Sequence, residues 1–173
     1  MDESKSIIDR VQILPAQSSE KGVLENLMHL YLYDFTEFTG DDVDEKGRFV
    51  DEYLDRYWTE PGRYPFLIKV DGKLAGFVLV RDTVRPEDGQ VTHHIAEFFI
   101  LRKYRRRQIG RYAAWKIFDR FPGRWHVAEI RENVPAQHFW RKVIGEYTGG
   151  KYEEITTPEW DGPIQSFTSY QKE

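Results

Sequence analysis

The chain has 173 residues, with 29 Asp and Glu against 25 Lys and Arg, a net charge of −4 and no cysteine. That length suits one domain with a sizeable core, and the composition is that of a soluble globular protein with a generous aromatic share of 15%. Disulfides, Cys-ligated metals and a thiol nucleophile are excluded, no apolar run reaches membrane-spanning length, and the acidic balance argues against a general nucleic-acid binder. The charged start Met1-Asp2-Glu3-Ser4-Lys5 leads into no long apolar stretch, so it does not read as a secretory signal, and the expected location is the cytoplasm.

Residues 1–9 read as a loose N-terminal end of a single domain spanning 1–173. Val11 to Leu14 is a short strand closed by Pro15. Ser18 or Ser19 can cap a helix in which Val23, Leu24, Leu27, Met28 and Leu30 recur at helical spacing, running to Gly40. A second helix is expected over Glu45 to Trp58, with Phe49, Val50, Tyr53, Leu54 and Tyr57 on one side, stopped by Pro61-Gly62. Strands follow: Pro65–Val70, the turn Asp71-Gly72, Leu74–Arg81, a longer turn over 82–90, and Thr92–Leu101. A helix from Ile109 to Phe121 ends at Pro122-Gly123. Trp125–Arg131 is a strand, and Pro135 opens a helix to about Ile144, where its missing N–H costs nothing. Tyr147–Ile155 and Ile164–Tyr170 alternate like closing strands. The order gives an α/β fold, a mixed sheet with helices on its faces.

Two segments carry the chemistry. The strand Ile95–Leu101 runs into Arg102-Lys103-Tyr104-Arg105-Arg106-Arg107-Gln108 and then into a helix. A helix N-terminus offers free N–H groups and partial positive charge, a ready phosphate site, to which the arginines add full charges. The ordinary alternative for such a run is a solvated loop. Downstream, Asn133-Val134-Pro135-Ala136-Gln137-His138-Phe139-Trp140 follows a strand and opens a helix.

Together these segments resemble the GNAT superfamily of acetyl-CoA-dependent N-acetyltransferases, as a small bacterial-type member. Arg105-Arg106-Arg107-Gln108-Ile109-Gly110 stands for the family's Arg/Gln-x-x-Gly-x-Gly/Ala, and Asn133, Ala136, Phe139 and Trp140 stand for its Asn-x-x-Ala-x-x-aromatic-Tyr. The resemblance implies a single-domain GNAT-like fold with a mixed, mostly antiparallel twisted sheet. It implies that backbone N–H groups from Arg107 to Arg111 meet the pyrophosphate of acetyl-CoA, beside Arg105 and Arg106. It further implies that the backbone of Phe99, Ile100 and Leu101 pairs with the pantetheine arm like an added strand, that Asn133 lies near that arm, and that Phe139 and Trp140 pack beside the cofactor. The alternative for the two aromatics is plain core packing. Three departures stand out. Gln108 replaces a usual Gly and is strained if that position needs positive φ. Trp140 replaces a Tyr that commonly protonates the leaving thiolate, and an indole has no proton to give. The helix-ending glycine is displaced by one, to Gly145.

In this chemistry an amine attacks the thioester directly, so the protein must position reactants, polarise the carbonyl and take a proton. Candidate bases on the strand before the arginines are His93, His94 and Glu97. Counting from the family motif, His94 falls where members carry a catalytic Glu or His, while Glu97 shares that face only if the strand bulges. Tyr147 is a candidate acid, with an ordinary strand aromatic as its alternative. His126 and His138 show no metal-ligand spacing, so no metal is expected. Residues 37–60 hold nine acidic residues against three basic. As a wall of the acceptor site they would favour a cationic small amine or peptide terminus, and as a solvated helix face they would do nothing. The expected partners are therefore an amine acceptor, no nucleic acid and no membrane, with a homodimer through Ile164–Tyr170 open. The competing readings are a non-catalytic acyl-CoA-binding or sensing domain and an arginine-rich nucleic-acid binder, whose affinity would fall steeply with salt.

Overall fold

The computed structural model describes residues 6–49 and 51–170. Seven strands form one sheet in the order β1-β2-β3-β4-β5-β7-β6: β1 Val11–Pro15, β2 Arg63–Val70, β3 Lys73–Val84, β4 Val91–Ile100, β5 Gly123–Ala128, β6 Glu153–Thr157 and β7 Trp160–Ser169. All pairings are antiparallel except β4 with β5, which is parallel. Pro15, which cannot donate to a ladder, sits where it is tolerated, on an edge strand. Asp71 (φ 51°) and Gly72 (φ 73°) make the tight β2–β3 turn, the positive-φ pair that matches strand twist.

The central strands are apolar on both faces, as a sheet covered on both sides requires. Phe77, Leu79 and Phe99 face one layer, where they meet Leu24, Leu27 and Met28 of α1 (Lys21–Thr39) and Leu54 and Tyr57. Val78, Val80, Ile95 and Ile100 face the other. There they meet α3 (Ile109–Arg120) through Ala113, Ile117 and Phe118, and α4 (Val134–Thr148) through Trp140, Val143 and Ile144. Residues 1–5 of the expected loose end lie outside the described residues, while Ile7 and Ile8 pack against the second layer from a 3-10 turn.

Two expected elements differ. The helix over 45–58 reduces to a single turn, α2 (Arg56–Thr59). Gly47 takes φ +70°, Asp44 spends its carboxylate on the N–H groups of Lys46 and Arg48, and Asp51 takes that of Tyr53. Such side-chain acceptors offer the backbone an alternative to helix. Leu54 and Tyr57 are still buried, but Tyr53, expected on the same side, is 57% exposed; Val50 lies outside the described residues. Second, α4 does not stop near Ile144 or at Gly145. It continues to Thr148 and ends on left-handed Gly149 (φ 63°), so Tyr147 is helical and the first closing strand begins later, at Glu153, while the second begins earlier than expected, at Trp160.

Candidate active site

β4 pairs with β5 only over Thr92–Ile95, against Arg124–Val127. It then runs on from Ala96 to Ile100 without β5 beside it. The sheet is thus split in its middle, and the unpaired side of β4 opens into the split. Leu101 donates its N–H to Ala75 C=O at 2.8 Å, on the β3 side. The Phe99 carbonyl presses on the same side, 2.0 Å from where a Cβ on Gly76 would lie, which is why only glycine fits there. Alternation therefore turns the N–H and C=O of Phe98 and Ile100 toward the split. Of the three residues expected to pair with an extended ligand, Ile100 is turned correctly, while Phe99 and Leu101 are committed to β3. Phe98 shares the orientation of Ile100. The Ile100 carbonyl is itself capped by Arg105 Nε at 2.7 Å.

Beyond β4 the arginine turn enters α3. Arg106 (φ 59°) and Gln108 (φ 65°) are both left-handed, so Gln108 does hold the strained conformation that glycine would relieve. The first bond into α3 is Tyr112 N–H to Gln108 C=O, 3.0 Å. Ile109, Gly110 and Arg111 thus keep their N–H groups free of helical acceptors. Gly110 admits the Phe139 ring, which lies 3.3 Å from where a Cβ would stand. The arginines divide in function. Arg102 (2.6 Å) and Arg105 are tied to Asp34 on α1, and Arg111 is tied to Glu146 at 3.1 Å and stacked over Trp115. Arg106 and Arg107 are exposed and have no ion-pair partner among the described residues.

Downstream, Asn133 caps α4, its Oδ1 accepting from Ala136 N–H at 3.1 Å. Trp140 is buried against Phe98 and Phe118, with ring centroids at 4.9 and 6.3 Å, a core position. Phe139 is only half-buried and packs on Phe98 at 5.8 Å, near the split.

A bulge at Ala96 decides which side chains meet. The register runs Leu79↔Glu97 and then Val80↔Ile95, so Ala96 is the extra residue and the faces swap there. His94, opposite Arg81, and Glu97, opposite Leu79, consequently share the face under α1, where regular alternation would separate them. His93 falls on the other face, bonded to Asp82 at 2.6 Å and packed against Phe121 and Trp125.

Glu97 stands at the floor of this face. Burial pushes its carboxyl up to about 7; a hydrogen bond from Tyr31 opposes that, the nearby charge of Asp51 adds to it, and Arg81 opposes it. Tyr31, pushed well up by its own burial and then by Glu97, remains a donor throughout the physiological range. Tyr57, also beside Glu97, is pushed up to about 12, foremost by burial. His94 goes the other way: burial, then the Arg81 charge, lower it to about 4, so the ring is neutral, and its Nε2 lies 2.8 Å from Thr83 Oγ1. Tyr147 is not brought here. It bonds Asp119 at 2.8 Å among Phe118 and Phe167, in the layer on the other side of the sheet.

Sequence reasoning missed Tyr31 and Arg81. Tyr31 had a readable signal: it extends the buried stripe of Leu24, Leu27 and Met28, so its hydroxyl is carried toward the sheet. Of the acidic residues of 37–60, Asp44 is engaged by Arg48, Asp55 by Lys21 and Glu60 by Arg63. Among the described residues, no group of three or more His, Asp or Glu could hold a metal ion, and no helix is long and apolar enough to cross a membrane.

The sequence model of the GNAT acetyltransferase family matches residues 24–145. No curated protein matches the chain. Among solved structures, an acetyltransferase from Thermus thermophilus is 16% identical with a TM-score of 0.63, over 90% of this chain and 94% of that one. An aminoglycoside acetyltransferase from an uncultured soil metagenomic sample, in complex with sisomicin, is 14% identical with a TM-score of 0.65, over 88% and 96%. Spermidine N-acetyltransferase from Vibrio cholerae, in complex with CoA and spermine, is 10% identical with a TM-score of 0.61, over 93% and 96%. At these identities the likeness is one of fold.

Proposed function

Because the chain belongs to the GNAT acetyltransferase family, we propose that it moves an acetyl group from acetyl-CoA to a primary amine by direct attack in a ternary complex, with Glu97 as general base. The observation that carries this reading is the split sheet: the free edge of β4 leads, through the arginine turn over 101–108, into the N-terminus of α3. The Phe98 and Ile100 backbone can pair with the amides of a pantetheine arm, and Phe139 lines the split. At its end, the N–H groups of Ile109, Gly110 and Arg111, flanked by Arg106 and Arg107, fit a pyrophosphate. Arg105 acts indirectly, holding α1 and the end of β4 in place.

The amine nitrogen attacks the thioester carbonyl carbon, the C–S bond breaks, and the proton released by nitrogen passes to the Glu97 carboxylate. A carboxyl near 7 suits a base that must be ionised yet still basic at neutral pH. Tyr31 holds it in place. His94, neutral and bonded to Thr83, orients the wall beside it. With Trp140 in the core and Tyr147 on the other side of the sheet, the thiolate takes its proton from solvent. The acidic segment over 37–60 draws an ammonium toward this face, and the amine-acting neighbours support an amine acceptor.

The test is thermal stability with acetyl-CoA, CoA and ATP, followed by amine-dependent thiol release. A ligand that binds only the folded state raises the melting temperature. A rise with acetyl-CoA and little with ATP supports the reading, and no rise sinks it. A rise without thiol release for any amine leaves an acyl-CoA-binding domain without turnover.

A further inference from the structure

One row of side chains crosses the acceptor face. Arg63 lies opposite Arg81, Arg81 opposite His94, and His94 opposite His126. Residues directly opposed on one face stand about 5 Å apart at Cβ, and like charges so placed repel. Arg63 is compensated: Glu60 accepts from its Nε at 2.9 Å, and its guanidinium lies 5.5 Å over the Tyr57 ring. Arg81 is not. It is exposed, with no carboxylate at ion-pair distance among the described residues, and His94 beside it is neutral. The next ring in the row, His126, 5.5 Å from His94, has a buried Nε2 without a hydrogen-bond partner.

Across from Arg81, the charge reverses. Glu97 lies between the two signs, felt by Arg81 from the sheet and by Asp51 from the loop above. Arg81 is two residues along β3 from Leu79, the residue facing Glu97. Arg81 therefore stands diagonally across the Ala96 bulge from Glu97, on the same face of the sheet. A ligand lying between them meets a cation on one side and carboxylates on the other. A purely cationic polyamine would instead set a positive charge against an uncompensated guanidinium.

Resting on the reading of Glu97 as base, we propose that the acceptor is a zwitterion of the free amino-acid type, whose carboxylate is held by Arg81 while its amine faces Glu97 and Asp51. The guanidinium offers a forked pair of donors to the carboxylate.

The experiment measures thiol release by the full chain with acetyl-CoA, comparing amino acids with the amines left when their carboxylate is removed, and with spermidine. For the wild type, kcat/KM should favour the amino acid over its decarboxylated counterpart by about 100-fold, the range of charged hydrogen bonds. In Arg81→Met that ratio should collapse toward one through a raised KM, and Arg81→Lys should restore part of it. Melting temperatures check that each variant folds. Equal or better use of the decarboxylated amines overturns this inference and leaves acetyl transfer standing. So does an Arg81→Met effect equal on both substrates, which would make Arg81 a partner of Glu97 alone. If acetyl-CoA binds but no amine of any kind releases thiol, the catalytic reading itself fails and takes this one with it.

Discussion

Replacing Glu97 with Gln keeps the shape and the Tyr31 hydrogen bond but removes the base, and it separates activity from stability in opposite directions. Loss of a general base costs about 10²–10⁴ in rate. The dependence on pH is sharper evidence than the size. With the carboxyl near 7, its ionised fraction rises from about 9% at pH 6 to about 91% at pH 8. The amine's own ionisation is common to both proteins and cancels in a ratio. The ratio of wild-type to variant kcat should therefore grow about tenfold between pH 6 and pH 8. His94, already neutral over this range, should leave that growth intact when changed to Gln. Stability moves the other way. Below 4.5 the carboxyl is protonated in both folded and unfolded chains and contributes no pH dependence. Between 4.5 and about 7 the unfolded chain ionises first, so stability falls as pH rises, and above 7 the loss is complete. At 1.36 kcal/mol per pH unit that loss is about 3 kcal/mol, trimmed by the solvent contact Glu97 retains. Glu97→Gln should thus melt several degrees above wild type at pH 8 and close to it at pH 4.5, at about 2–4 °C per kcal/mol for a chain of this length. A rate ratio flat across pH would refute the base assignment. A melting difference equal at both pH values would refute the raised carboxyl.

Three further outcomes follow from single positions. Gln108→Gly removes a left-handed side-chain conformation costing about 1–2 kcal/mol and adds about 0.5–1 kcal/mol of chain entropy cost, so the variant should be slightly more stable in urea; a clear loss would mean the Gln side chain holds the turn. Asp34→Ala releases Arg102 and Arg105 and unties α1, which carries Tyr31 three residues earlier. It should cost about 1 kcal/mol in unfolding and raise the amine KM severalfold, and an unchanged amine KM would mean α1 is held by its apolar face alone. Glu129 is 4% exposed, and burial pushes its carboxyl up to about 8 although the Gln165 amide opposes this. Its stability penalty grows from pH 4.5 to about 8, so Glu129→Gln should flatten the decline in stability over that range, seen by denaturant titration at pH 5 and pH 9.

The elements that site the chemistry were legible where local rules decide. The Asp71-Gly72 hairpin, the strand entering the arginine turn, and the start of α3 at Ile109 all rest on turn chemistry and periodicity. The segment 45–58 was not, because its apolar spacing fits a helix while Asp44, Gly47 and Asp51 draw the backbone into turns. α4 overran because Gly145 is tolerated inside a helix held by Val143, Ile144 and Tyr147 against the core. Which of His94 and Glu97 dominates was beyond the sequence. Their titration is set by burial under α1, and α1 reaches Glu97 through a tyrosine 66 positions away.

The bulge at Ala96 and the split at Ile95 are one event. β4 is paired on both sides up to Ile95, and the extra residue both swaps faces and bends the strand. β5 itself ends at Ala128, one residue past Val127, its last to pair with β4, so the two strands part where the faces change. Unpaired backbone in the middle of a sheet is normally a liability. Here the unpaired edge faces the gap: Phe98 and Ile100 present backbone groups to it, which suits the proposed pantetheine pairing, and the turn after the strand delivers the chain to α3. The face swap sets Glu97 on the acceptor side, one residue before the first exposed N–H of the split. A single insertion thus sets Glu97, the proposed base, next to the backbone groups that face the split. Without Ala96 the alternation is regular and Glu97 still stands opposite Leu79 under α1, so a chain lacking Ala96 should keep the raised Glu97 carboxyl but lose the melting-temperature rise with acetyl-CoA if β4 re-pairs with β5; an undiminished rise would refute the link between bulge and split.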